Sequence, residues 1–189
     1  MSTPTSGYLP LLQTYLDELA LAARLGPVLD LACGSGRNGL YLLENRIPVV
    51  FADIRADALA SIQLRLDEML PDRDEPLSSV WEVDFELPGS NPFAQRMFGG
   101  MVVFSYLYRP LLGTLKQSVH PGGLVIYQTF TLAQIQFGRP KNPDFLLQPG
   151  ELREHFSDWD VLHYYEGVVK TGSGSKAIAQ LVASKPAAH

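Results

Sequence analysis

Gly34-Ser35-Gly36-Arg37-Asn38-Gly39 sets three glycines in a G-x-G-x-x-G frame, after the apolar run Val28 to Ala32 and before a helical pattern. Such a loop lets a ligand approach the backbone closely, and the helix start offers free N–H groups to an anion. Two anions fit: the pyrophosphate of a dinucleotide, or the carboxylate of an amino-acid-like cofactor. Asp30 separates them, because a carboxylate four positions before Gly34 repels a pyrophosphate and attracts an ammonium group. Two more acids close the apolar runs that follow. Asp53 ends Pro48 to Ala52, placed for a bidentate bond to ribose hydroxyls. Asp84 ends Val80 to Val83, where an acceptor meets an exocyclic amine, with Ile54 or Phe85 flanking a flat ring.

Ammonium, ribose and purine amine, each met by an acid on successive strands, describe S-adenosyl-L-methionine. Its carboxylate would rest on amides between Gly34 and Asn38, and Ala32, Ser35, Gly36 and Phe104 complete the expected contacts. Each residue has a plainer reading. Asp84 is also a common loop cap. Arg37 reaches either the cofactor carboxylate or a neighbouring acid. Cys33 reads as a small residue tolerated beside the loop rather than a nucleophile, and no metal spacing joins it to His155 or His163.

The elements that must hold these residues follow from hydrophobic period. Leu9 to Leu25 is an amphipathic helix stopped by Gly26-Pro27, and further helices cover Asn38 to Glu44, Ala56 to Leu70, Pro110 to Val119 and Gly150 to Phe156. Strands cover Val28 to Ala32, Pro48 to Ala52, Val80 to Val83, Gly99 to Ser105 and Leu124 to Tyr127, with Pro121-Gly122-Gly123 as a turn and Pro71 to Pro76 as a charged loop. Strands and helices largely alternate, which predicts an α/β fold with a parallel sheet and helices on both faces. The chain then departs from that rhythm. Residues 131–149, with Gly138 and three prolines, form a long loop whose Ile135, Phe137, Phe145, Leu146 and Leu147 suit a packed lid. Trp159 to Glu166 and Lys176 to Ala183 are strands of a hairpin turning at 171–175.

Val28-Leu29-Asp30-Leu31-Ala32-Cys33-Gly34-Ser35-Gly36-Arg37-Asn38-Gly39-Leu40-Tyr41-Leu42 resembles the first motif of class I S-adenosylmethionine-dependent methyltransferases. Its Gly-Arg-Asn-x-Leu-Tyr-Leu variant resembles the tellurite-resistance branch, as do Pro149-Gly150-Glu151-Leu152 and Trp159 to Glu166; His120-Pro121-Gly122-Gly123 is similar to the wider family's turn before strand five. The resemblance covers about residues 27–185. It implies a Rossmann-like seven-stranded, mostly parallel sheet whose last strand is antiparallel, inserted by a hairpin between two others. It also implies Asp30, Gly34, Gly36, Asp53 and Asp84 as cofactor contacts, and tellurite, selenium or thiol compounds among the acceptors. No Asn-Pro-Pro-Tyr or Asp-Pro-Pro-Tyr motif follows strand four, so base or amide methylation has no support there.

Transfer from a sulfonium is an in-line displacement with a neutral leaving group, so alignment and exclusion of water matter most. In a parallel sheet the acceptor sits beyond the strand C-termini. Ser105, Tyr106, Arg109, Phe130 and Arg139 are the expected substrate contacts, with Tyr106 and Arg109 the candidates for a catalytic role. Between Phe104 and Gln148 the charges are Arg109, Lys116, Arg139 and Lys141 against Asp144, which suits a small anionic acceptor steered by Arg109 and Arg139.

Composition sets the outer limits. With 189 residues, one cysteine and net charge −5, the chain reads as one domain, 1–189, in a reducing, cytoplasmic setting, as a monomer or homodimer. The acidity opposes a nucleic-acid-coating role, and no apolar run has membrane-spanning length. Residues 1–86 carry 6 basic and 14 acidic side chains, and residues 87–189 carry 9 and 6, so the chain is polarised. Two other functions share the glycine frame: a sensor that binds S-adenosylmethionine without transfer, and a nicotinamide oxidoreductase, which Asp30 opposes.

Overall fold

Along the first strand side chains alternate between two sheet faces, and both must be covered. In the computed structural model, which describes residues 10–69, 78–172 and 174–187, helices cover both. Seven strands form one sheet: β1 (Val28–Leu31), β2 (Val49–Asp53), β3 (Ser79–Glu82), β4 (Phe98–Phe104), β5 (Val119–Phe130), β6 (Asp160–Thr171) and β7 (Gly174–Ser184). Their spatial order is β3-β2-β1-β4-β5-β7-β6. The first five pair in parallel, and β7 is antiparallel to both β5 and β6. This is the sheet the motif resemblance implied, with β7 inserted between β5 and β6.

Leu29, Leu31, Met101, Val103 and Val125 pack on one face with Leu112 and Leu115 of α5 (Leu112–Gln117) and Leu152 of α6 (Glu151–His155). Val28, Val49, Phe51, Val102 and Ile126 pack on the other, under α2 (Leu16–Ala22), α3 (Arg37–Glu44) and α4 (Ala56–Met69). Asp30 points to this second face, toward α3. β1 lies where strand order reverses, with β2 and β4 on either side of it, and such a switch point is where open α/β sheets bind ligands.

Several element bounds differ from expectation. The N-terminal helix is interrupted at Tyr15, whose φ of −111° leaves α-helical geometry, giving α1 (Pro10–Thr14) and then α2. Its first expected residue, Leu9, lies outside the described residues, as do Leu70 and the loop Pro71 to Pro76. The expected turn at Pro121-Gly122-Gly123 is instead inside β5: Val119 pairs with Phe98, Gly122 N–H bonds to the Lys185 carbonyl, and Lys185 N–H bonds to that of Gly123. Helix α5 is correspondingly short, preceded by a 3-10 turn at Arg109–Leu111. The β6–β7 hairpin is longer than expected, since Val168 to Thr171 continue the ladder to Gly174.

The 131–149 segment contains two 3-10 turns, Leu132–Gln136 and Pro143–Phe145, and is tied at its base. Leu132 N–H bonds to the Leu147 carbonyl, Leu147 N–H to that of Phe130, and Ala177 N–H to Gln134 Oε1. Its five apolar side chains divide. Leu146 and Leu147 are buried, whereas Ile135, Phe137 and Phe145 face outward.

Candidate functional site

The chain leaves β1 through Ala32, Gly34 and Gly36, all with positive φ, and enters α3. At Gly36 (φ 74°) a Cβ would lie 2.8 Å from Ile62 Cδ1, so conformation and space both demand glycine. Gly39 is needed for a different reason. A Cβ there would meet Phe51 Cε1 at 2.3 Å and Asp30 Oδ2 at 2.8 Å, so the first turn of α3 lies directly on β1 and β2. That approach lets Gly39 N–H donate to Asp30 Oδ2 at 2.9 Å.

Asp30 is buried, and desolvation outweighs the Gly39 hydrogen bond, so its carboxyl is pushed up to about 7. It lines a cavity of about 300 Å³ with Ala32, Cys33, Gly34, Ser35, Arg37, Asn38, Phe104 and Ser105. Asn38 is itself buried, and its Oδ1 has no hydrogen-bond partner. Burial and the Asp30 and Asp53 charges push the Cys33 thiol up, away from the thiolate a nucleophile needs.

Asp53 binds the glycine loop to β2. Its Oδ2 accepts from Gly34 N–H at 2.8 Å, and its Oδ1 from the Arg55 amide and Nε at 3.0 and 3.2 Å. Asp84 is exposed and caps its loop, accepting from Glu86 N–H at 2.8 Å through Oδ1. Both also line a cavity of about 330 Å³ with Ala32, Ile54, Val83, Phe85, Glu86 and Tyr106. Phe85 is buried, edge-on to Trp81 at 5.7 Å between ring centroids. Eleven of the twelve residues expected around a cofactor thus line these two cavities. Gly36 shapes the loop without lining either.

A third cavity, about 430 Å³, lies beyond β4 and β5 and is lined by Glu86, Ser105, Tyr106, Leu107, Phe130, Arg139, Pro140 and Phe145. Four of the five expected substrate residues therefore meet here. Ser105 holds a φ of 58°, a left-handed conformation uncommon outside glycine, at the point where the chain leaves β4. Tyr127 Oη, fully buried, donates to the Tyr106 carbonyl at 3.0 Å and fixes the next residue. The Tyr106 hydroxyl is buried beside the Glu86 carboxylate, and burial together with that neighbour pushes its phenol up.

Arg109 is not in this lining. Its Nε and Nη2 meet both Glu151 oxygens at 2.6 and 2.9 Å, and Nη1 and Nη2 donate to the Asp144 and Leu146 carbonyls at 2.9 and 2.8 Å. Glu151 also accepts from Gln148 N–H at 2.7 Å, and the Arg109 pairing holds its carboxyl below the ordinary range. Arg109 is thus a clamp across the 131–149 segment, in place of the expected free cation beside an anion. Arg139 has no ion pair or side-chain hydrogen bond among the described residues. Glu86, which lines both cavities that share Tyr106, was missed in the sequence. Its signal was an acid two residues beyond Asp84, on the same strand-end loop.

The family model described as "Tellurite resistance protein TehB" matches residues 16–177. This chain belongs to the TehB family. The TehB crystal structure from Haemophilus influenzae superposes with a TM-score of 0.66 at 24% identity, over 89% of this chain and 61% of that one. This chain thus spans about three fifths of that TehB protein. A SAM-dependent methyltransferase from Methanosarcina mazei gives a TM-score of 0.66 at 14% identity, covering 96% of this chain and 99% of the other. The N-methyltransferase NodS from Bradyrhizobium japonicum, in complex with S-adenosyl-L-homocysteine, gives 0.65 at 13% identity, covering 97% and 90%. A comparison with curated protein sequences finds no match. The TehB assignment and these likenesses agree on the class I methyltransferase fold.

Proposed function

We propose that the chain is an S-adenosylmethionine-dependent methyltransferase that passes a methyl group in line to a small-molecule acceptor. The observation that carries the reading is a shared wall. Tyr106 lines both the cavity under Asp53 and Asp84 and the cavity under Arg139, while Ser105 lines both the Asp30 cavity and the Arg139 cavity. A cofactor held at its two ends by the first pair would have its reactive centre at that wall.

The residues fit such a ligand. Asn38 Oδ1 is a buried acceptor awaiting a donor, and Asp30 beside it supplies a carboxylate for an ammonium group. Asp53 keeps lone pairs for ribose hydroxyls after its bonds to Gly34 and Arg55, and Phe85 and Ile54 offer apolar faces to a purine. When bound, the cofactor supplies an electrophilic methyl group on a sulfonium that leaves as a neutral thioether. The chain's own work is positional: Ser105 and Tyr106 fix the junction, the clamped 131–149 segment shields it, and Arg139 holds an anionic group of the acceptor. Alignment of this kind contributes up to roughly 7–11 kcal/mol in favourable cases.

Calorimetric titration tests the reading. S-adenosylmethionine and S-adenosylhomocysteine should each bind one to one, and Asp53→Ala should weaken both at least tenfold. Binding of NAD in place of either would overturn it. Binding with no turnover across thiols, oxyanions and carboxylic acids would leave a sensor as the function.

A further inference from the structure

The acceptor cavity has a chemistry of its own. Its approximate 430 Å³ falls within the range of clefts that hold organic ligands, and is roughly fourteen times the ~30 Å³ share of one water in the liquid. Leu107, Phe130, Pro140 and Phe145 make most of its wall apolar, and Phe145 stands half-exposed toward it. Two charges of opposite sign line it. The Arg139 guanidinium is without a partner among the described residues, and Glu86 brings a carboxylate next to the Tyr106 hydroxyl. Glu86 is held by its backbone, its N–H bonded to Asp84 Oδ1 at 2.8 Å and its carbonyl accepting from Tyr108 Oη at 3.4 Å. A bare inorganic oxyanion would satisfy Arg139 alone, leave the apolar wall wet, and meet repulsion from Glu86.

We propose that the acceptor is a small organic acid with an apolar body, its anionic group on Arg139 and its hydroxyl, thiol or amine facing Glu86, which takes the proton as that group is methylated. The proposal rests on the methyltransferase reading above and deepens it. As the bond from the acceptor heteroatom to the methyl carbon forms, the sulfur–methyl bond breaks and its electron pair stays on sulfur. The heteroatom's proton passes to the Glu86 carboxylate, which is exposed and returns it to solvent. Tyr106, lining both cavities, orients the reacting group.

The test uses the full chain saturated with S-adenosylhomocysteine and titrated in a calorimeter with 4-hydroxyphenylacetate, 3-mercaptopropionate, phenylalanine and sodium tellurite. At least one organic acid should bind ten times more tightly than tellurite. That margin should vanish in Arg139→Gln and in the methyl ester of the same acid. With S-adenosylmethionine and that acid, Glu86→Gln should lower kcat about a hundredfold, with the acid's Kd moving less than twofold. Tellurite binding as tightly as all three acids would overturn the proposal, as would an Arg139→Gln that leaves the acid's affinity intact or a Glu86→Gln whose kcat matches the wild type's. Failure of S-adenosylhomocysteine to bind would instead sink the methyltransferase reading. Its binding with no organic acid captured would sink only the present one.

Discussion

Around the glycine loop, Asp30 and Asp53 bond to the Gly39, Gly34 and Arg55 amides, so the carboxylates that line the two cavities also hold the fold together. Beyond β4 and β5, the Tyr106 hydroxyl lies beside Glu86, and the Arg139 guanidinium makes no ion pair or hydrogen bond among the described residues. The first region shapes a cradle from backbone that permits one loop conformation. The second leaves reactive groups uncommitted inside an apolar wall. A cradle of this kind suits one invariant ligand, and the open arrangement suits an acceptor specified by side chains. Arg109 and Glu151 belong to neither: they hold the segment that supplies Arg139, Pro140 and Phe145 to the second region's wall.

One methyl group in the cradle should have the largest effect. Alanine in place of a helical glycine ordinarily gains about 1 kcal/mol. Gly39→Ala instead drives a Cβ into Phe51 and Asp30, and should cost about 3 kcal/mol, lowering Tm by roughly 6–12 °C in thermal unfolding followed by circular dichroism. Arg139→Ala should stay within roughly 0.5 kcal/mol of wild type. Equal losses in the two variants would erase the distinction.

Arg109→Ala separates clamp from anion contact. Removing the guanidinium leaves Glu151 and two carbonyls without their donor, at roughly 1–3 kcal/mol, so both Tm and resistance of residues 131–149 to limited proteolysis should fall. A variant with unchanged Tm and protease resistance, and only a raised acceptor KM, would restore the steering role.

A pH series sharpens the cradle's electrostatics. The Asp30 carboxyl, near 7 in the fold against about 3.9 unfolded, keeps a proton that the unfolded chain has lost. Its contribution to stability is therefore present below about pH 4 and lost as pH rises from 4 to 7. An ammonium group favours the ionised form, so affinity for S-adenosylmethionine should climb up to tenfold per unit between pH 5 and 7 and then level. Asp30→Asn should flatten that profile; a wild type already flat would remove Asp30 from the ammonium site. The smallest effect belongs to Cys33→Ala. The thiol is kept neutral by burial, and affinity should stay within about twofold by the same titration.

These differences track what a linear sequence carries. The cradle was legible because its geometry is local: strand, glycines and helix start are contiguous, and an acid at each strand end recurs where parallel strands terminate together. The order and hairpin of the sheet followed from motif resemblance and the break in alternation that begins at Thr131. The acceptor side was only partly legible. Ser105 and Phe130 follow from strand-end position, but Arg109 and Arg139 look alike in sequence, and only a partner 42 residues away, Glu151, distinguishes clamp from open cation. Glu86 was hidden for a similar reason, since its relevance depends on Tyr106 arriving from another strand. The turn at Pro121-Gly122-Gly123 was misplaced because pairing with Lys185 and Phe98 overrides local turn chemistry.

The division between cradle and acceptor cavity is tested most directly by a crystal structure of the chain with S-adenosylhomocysteine. The ribose should lie on Asp53, the amino group between Asp30 and Asn38, and the thioether sulfur should face Ser105 and Tyr106 at the mouth of the Arg139 cavity. A sulfur turned away from that cavity, or an adenine lodged among Leu107, Phe130 and Phe145, would contradict it.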